Sequence, residues 1–142
     1  MDSDQSERPG TSAGVGIVVR SRDGLVLAGE RRGDARPSLA LPGGRLEAGE
    51  TFEACAIREL AEETGLSMDE TGVRVFGCTY VPGWVVAGVH GEIDAPSAEI
   101  ETRELEPDKN GGYRWIDPRR PPAGLYPASR EILEQLARGE AT

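Results

Sequence analysis

The chain has 142 residues, 37% hydrophobic and 29% charged, with a net charge of −9. That length suits one compact domain and is too short for two well-formed cores. No stretch approaches the roughly 20 mostly apolar residues of a membrane span, so no membrane partner is expected, and the acidic balance argues against a nucleic-acid polymer as partner, because a phosphate backbone is gripped by basic patches.

The first residues, Met1-Asp2-Ser3-Asp4-Gln5-Ser6-Glu7, have neither a basic region nor an apolar one of the kind that directs secretion, and the expected compartment is the cytoplasm. Residues 1 to about 12 show no apolar periodicity and are expected to form a mobile arm, with a single domain over 13–142. Val15 to Arg20 is β-branched and ends in Ser21-Arg22-Asp23-Gly24, which reads as strand and turn. Leu25 to Glu30 follows as its expected hairpin partner. Leu39-Ala40-Leu41-Pro42-Gly43-Gly44 then runs from an apolar stretch into residues that favour a turn.

A helix is expected from about Thr51 to Thr64, with Gly65 placed to close it in a left-handed conformation. Val73 to Tyr80 and Trp84 to Ile93 read as two strands, and Gly112 to Ile116 as a short last one. A final helix is expected from Pro127 to about Gly139, with Ile132, Leu133 and Leu136 at helical spacing. Strands mixed with two helices indicate a layered α/β domain. Cys55 and Cys78 make no C-x-x-C pair and are expected to be buried thiols.

The first helix carries the chemistry. At about 100° per residue, Glu59, Glu62 and Glu63 share one side, and Ala54, Ile57 and Ala61 are expected to pack on the sheet from the other. Like charges at these spacings repel, and Glu62 and Glu63 occupy the end of the helix dipole that favours cations. A solvated acidic face is the plain explanation of such a pattern. Converging hard oxygen donors in a place where helix energetics disfavours them instead suit Mg²⁺ or Mn²⁺. An acidic protein handling phosphate compounds would need such cations as intermediaries.

Gly44-x5-Glu50-x7-Arg58-Glu59-Leu60-x-Glu62-Glu63-x-Gly65-Leu66 matches the Nudix box, G-x5-E-x7-R-E-U-x-E-E-x-G-U, at every position. With its seven fixed residues each arising at roughly 7%, a chance match at a given start is on the order of one in a hundred million. The chain therefore resembles the Nudix hydrolases, and the resemblance implies an α/β/α sandwich around a mixed sheet. Outside the box, Val26 to Gly33, Leu41 to Glu50 and Leu105 to Asn110 resemble a MutT-like subgroup, which includes nucleoside triphosphate diphosphatases and a plant branch acting on a prenyl diphosphate. The connection at Val81 to Gly83 is shorter than the family leads one to expect, and Leu125-Tyr126-Pro127 stands where relatives carry more aromatics.

The resemblance implies a hydrolase of diphosphate linkages, with Mg²⁺ (or Mn²⁺) held by Glu62, Glu63 and Glu59 and by the Gly43 carbonyl. Arg58 is expected to orient the glutamates, its planar fork suiting paired hydrogen bonds. Glu59 and Glu106 are both candidates for the general base, and the sequence does not choose between them. Arg31 and Arg32 are candidate phosphate contacts, and Tyr126 and Trp84 candidate surfaces for stacking a base. His90, the one histidine, is read as a strand residue without a catalytic role. The expected partner is a small-molecule diphosphate, a nucleotide in preference to a prenyl diphosphate because the segments nearest the site are polar. The expected assembly is a monomer or homodimer. The alternative from another class is a Nudix-fold module that senses a nucleotide without cleaving it, which would be expected to have lost box glutamates.

Overall fold

The computed structural model describes residues 10–141; of the arm expected over residues 1 to about 12, residues 1–9 lie outside them, and Ser12 already belongs to the first strand. Seven strands form one mixed sheet: β1 (Ser12–Arg20), β2 (Val26–Arg31), β3 (Ser38–Ala40), β4 (Gly43–Arg45), β5 (Val73–Val81), β6 (Trp84–Glu92) and β7 (Asn110–Ile116). Two helices cover it, α1 (Phe52–Thr64) and α2 (Pro127–Ala141). This is the α/β sandwich with a mixed sheet that the sequence led one to expect. No helix of the described residues is long and apolar enough to cross a membrane.

Alternation along β1 divides the interior in two. Val15, Ile17 and Val19 face α1 and pack with Cys55, Ala56 and Leu60, whereas Val18 faces α2 and packs with Ile132, Leu133 and Leu136. Strand β1 is central because it is apolar on both faces, as a strand covered by helices on both sides must be. It pairs in parallel with β6 from Ser12↔Trp84 to Arg20↔Glu92.

The other edge of β1 departs from the expected opening hairpin. β1 and β2 pair in register only at Arg20↔Val26, while Gly14, Val15 and Gly16 pair with Arg45, Gly44 and Gly43 of β4. β2 leaves to pair with β3 and β7. Two strands thus share one edge of β1 and diverge, and the divergence opens a cleft at its N-terminal half. Gly43 and Gly44 accordingly lie in a strand and not in a turn. A Cβ on Gly43 would run into the Val15 carbonyl oxygen, and one on Gly44 into the Glu59 carboxylate.

Helix α1 is bounded as its sequence implies. The Thr51 side chain accepts a hydrogen bond from the Ala54 amide at 3.0 Å, and Gly65, at φ 78°, donates to the Ala61 carbonyl. Its packed face is rotated from the expected one. Cys55, Ala56, Leu60, Glu63 and Thr64 are buried, and Ala61 is exposed. At 100° per residue Glu63 falls only about 20° from Ala56, so the last carboxylate rides on the core stripe. The expected common side for all three glutamates is therefore replaced by a gradient: Glu63 buried, Glu59 half-buried and Glu62 exposed. The expectation of two buried thiols holds for Cys55 alone. Cys78 is exposed, because it lies on the edge strand β5.

Candidate active site

The cleft where β4 and β2 part has a volume of about 270 Å³. Its floor is apolar, from Val15, Leu41, Val86 and Ile132. Gly43, Gly44 and Glu63 form one wall, and Arg31, Tyr126, Arg45 and Trp84 the rim. Of the residues singled out in the sequence, Gly43, Glu63, Arg31, Tyr126 and Trp84 thus meet at one cavity. The rim is built from two stacked pairs. The Arg31 guanidinium lies 4.1 Å from the centre of the Tyr126 ring, and that of Arg45 lies 5.2 Å from the Trp84 ring.

Glu63 is 2% exposed, and one oxygen accepts a 3.2 Å hydrogen bond from the Gly43 amide. Among the described residues no ion pair involves it. Burial pushes its carboxyl up to about 8, and the charges of Glu59, Glu106 and Glu62 push the same way against the Gly43 hydrogen bond. Burial also raises Glu59, with Glu62 and Glu106 adding to the effect against the pull of Arg58. Glu106, distant in sequence, thus acts on both box glutamates, and the four carboxylates form one electrostatic group.

Arg58 stands beside this group as its clasp. Its Nε and Nη2 donate to both oxygens of Glu50 at 2.6 and 2.9 Å, Nη1 donates to Glu59 at 2.8 Å and Glu62 at 3.1 Å, and Nη2 also reaches the Arg45 carbonyl at 3.0 Å. The hydrogen bonds from Arg58 hold Glu50 down at about 2. Among the described residues no three His, Cys, Asp or Glu side chains are gathered closely enough to cage a metal. Glu59 and Glu62 are turned onto Arg58, with the Glu59 carboxylate also against Gly44, and of the three only Glu63 lines the cleft itself. The donor set nonetheless suits a hard divalent cation: all oxygen, mutually repelling, and centred on a buried carboxylate with no cationic partner.

Arg32 does not line the cleft. Its guanidinium bonds Glu104, Glu30 and the Pro107 carbonyl, whereas Arg31 reaches the cavity. Neighbouring residues of a strand point to opposite faces, so Arg31 and Arg32 part, and the pairing of β2 with β7 shifts register just before them, between Ala28 and Glu30. Arg45 was missed by the sequence reading. Its place at the cleft follows from β4, a strand that the sequence reading took for a turn. His90 is buried in β6 with its ring edge-on to Phe76, and burial lowers its pKa.

Residues 10–136 match the family model for the NUDIX domain. The chain is 37% identical to an RNA pyrophosphohydrolase of Cereibacter sphaeroides over 142 aligned residues, covering 86% of this chain and 85% of that protein. It is 27% identical to an RNA pyrophosphohydrolase of Dinoroseobacter shibae, with 86% of each covered. Among solved structures, a MutT NUDIX hydrolase from Burkholderia pseudomallei superposes with a TM-score of 0.75 at 26% identity, over 89% of this chain and 98% of that one.

These relatives overturn the exclusion of nucleic-acid polymers drawn from the net charge. A charge of −9 opposes a grip along a phosphate backbone, but an enzyme that engages only a terminal phosphate group needs positive charge only at its cleft, and Arg31 and Arg45 are there. With the domain match spanning nearly its whole length and every box residue in place, the chain belongs to the Nudix family of diphosphate hydrolases.

Proposed function

We propose that this chain removes pyrophosphate from the 5′ end of triphosphorylated RNA, with Mg²⁺ as its metal and Mn²⁺ as a substitute. The observation that carries the reading is Glu63, a carboxylate buried in the wall of the cleft, held by one backbone amide and surrounded by Glu59, Glu62 and Glu106. In its ionised form such a group is costly unless a cation joins it. Glu59, Glu62, Glu63 and the Gly43 carbonyl would hold that cation. When bound, it neutralises phosphate oxygens and acidifies water. RNA as the substrate class is taken from the curated relatives, whose names specify it, and the 5′ end follows because that is where an RNA chain carries a phosphoanhydride.

In the reaction, water adds to one phosphorus of the anhydride, the bridging P–O bond breaks, and the departing phosphate keeps the electron pair. A base must take the proton that water loses. Glu59 is clasped by Arg58 at 2.8 Å, while the nearest cation to Glu106 is Lys109 at 3.9 Å. A base needs an available lone pair, so Glu106 is assigned that role and Glu59 a ligand role. Arg58 fixes Glu59 and Glu62 by hydrogen bonds. Arg31 and Arg45 offer charge to the phosphates from the rim, and Tyr126 and Trp84 offer faces on which a base can stack.

The test is kcat/KM with Mg²⁺ across a 5′-triphosphorylated RNA oligonucleotide, free nucleoside and deoxynucleoside triphosphates, ADP-ribose and geranyl diphosphate. The RNA is expected to lead, yielding pyrophosphate and a 5′-monophosphate end. A free nucleoside triphosphate in the lead would favour the MutT-like activity that the Burkholderia likeness suggests. Geranyl diphosphate in the lead would reject nucleotides altogether, and absence of turnover would leave a binding module.

A further inference from the structure

Arg32, Glu104 and Gly112 form a chain of contacts at the side of the cleft that the catalytic reading does not use. Arg32 Nη1 donates to Glu104 Oε1 at 3.0 Å and to the Pro107 carbonyl at 3.1 Å, and Nη2 donates to Glu30 at 3.1 Å. Its backbone amide donates to the Lys109 carbonyl at 2.7 Å. The second oxygen of Glu104 accepts from the Gly112 amide at 2.7 Å. Gly111 permits this arrangement, because a Cβ there would run into the Arg32 guanidinium.

The segment fastened in this way carries Glu106, and its other side hangs from the end of α1. The Arg103 amide donates to the Thr64 carbonyl at 2.9 Å, and the Leu105 amide to the Glu63 carbonyl at 3.3 Å. Glu106 then closes its own turn, its carbonyl accepting from the amides of Lys109 and Asn110, both at 2.9 Å. Residues 103–105 are therefore fixed to the metal helix, residues 107 and 109 to Arg32, and Glu106 lies between. Both terminal nitrogens of Arg32 are occupied by these bonds.

We propose that Arg32 and Glu104 are a strap that positions the Glu106 loop against α1, so that Arg32 serves catalysis by placing the base and not by gripping phosphate. This rests on the assignment of Glu106 as base. Arg32 and Glu104 are both partly exposed, and exposed ion pairs add little to global stability, so the strap is expected to matter for geometry far more than for folding. A misplacement of the order of an ångström at a reacting group is enough to slow a reaction substantially.

The experiment combines hydrogen exchange with steady-state kinetics on full-length Arg32→Ala, Arg32→Lys, Glu104→Gln, Glu106→Gln and the Arg32→Ala/Glu106→Gln double variant. Substrates are a 5′-triphosphorylated RNA oligonucleotide and, in parallel, ATP. Arg32→Ala is expected to lower kcat by about tenfold or more with KM within about twofold, to shift Tm by no more than about 3 °C, and to deprotect the amides of Lys109, Asn110 and Gly112 while α1 stays protected. Glu104→Gln should follow in the same direction, and Arg32→Lys should recover part of the loss. In the Glu106→Gln background Arg32→Ala should cost less than about twofold, because the group it positions is gone.

A raised KM at unchanged kcat, equal losses in both backgrounds, or unchanged exchange in the loop would each overturn the strap. Turnover of ATP without RNA would instead reject the substrate reading and leave the cycle legible on ATP. A Glu106→Gln variant with wild-type kcat would reject the base assignment, and with it any catalytic purpose for the strap.

Discussion

The two helices that cover the sheet bury opposite kinds of surface. Helix α2 presents Ala128, Ile132, Leu133 and Leu136 to its face of the sheet, with Ser129 as the one buried polar side chain, its hydroxyl taken by the Leu41 amide at 3.0 Å. Helix α1 presents Cys55, Ala56 and Leu60 but ends the same stripe with Glu63. One helix completes its hydrophobic contact, and the other gives up its last turn to a buried carboxylate that burial and neighbouring charge hold near 8. Thus α2 completes an apolar contact, while α1 carries an electrostatic defect that either a proton or a cation relieves.

The largest way to sharpen this contrast is to remove the cation. EDTA is expected to abolish pyrophosphate release, and Mg²⁺ or Mn²⁺ to restore it, with Zn²⁺ a poor substitute because the donors are carboxylates. Activity surviving thorough chelation would break the account of α1. The converse experiment is on α2, where Ile132→Ala is expected to cost about 2 to 5 kcal/mol of stability in denaturant unfolding, with kcat per folded molecule largely kept. A loss below about 1 kcal/mol would mean that the apolar contact of α2 does not hold the fold.

A smaller effect separates the helices by pH. Glu63 has an ordinary value near 4.5 and a folded value of about 8, so between these the folded protein keeps a proton that the unfolded chain has lost. Stability of the metal-free protein from this group is therefore full below about pH 4.5 and declines as pH rises toward 8. Glu50 acts in a different window with the opposite sign, its contribution being lost as pH falls from about 4.5 toward 2. Thermal melts in EDTA at pH 5 and pH 8 isolate Glu63. Glu63→Gln should gain on wild type from the lower pH to the higher, and an unchanged difference would show that burial does not govern its proton.

Local features were the legible ones. The Thr51 cap, the Gly65 stop, the box spacing and the strands of β5 and β6 all depend on neighbours a few residues apart, so sequence pattern alone located them. The parallel pairing of β1 with β6 joins residues more than 70 positions apart and leaves no local mark. Nor is there a local mark for β4, which takes the edge of β1 that a hairpin would have used. Arg31 and Arg32 could not be told apart because strand neighbours face opposite ways, and which face meets the cleft is set by Tyr126 and by the Glu104 segment, both distant in sequence. Glu63 was grouped by helical angle with Glu59 and Glu62, opposite Ala54, Ile57 and Ala61, whereas the helix packs through Cys55, Ala56 and Leu60, and Glu63 lies beside Ala56 on that stripe. Glu104 was not singled out in the sequence, because its partners, Arg32 and Gly112, are brought to it only by the fold.

On the function proposed above, the buried carboxylate on α1 holds the metal on which hydrolysis depends. This is tested most directly by measuring Mn²⁺ binding calorimetrically and turnover of triphosphorylated RNA in parallel on wild type and Glu63→Gln, both shown to be folded by circular dichroism. The account predicts that Glu63→Gln keeps its fold, binds Mn²⁺ at least about tenfold more weakly and loses at least about a hundredfold in kcat. A folded variant with wild-type Mn²⁺ affinity and near-normal turnover would contradict it.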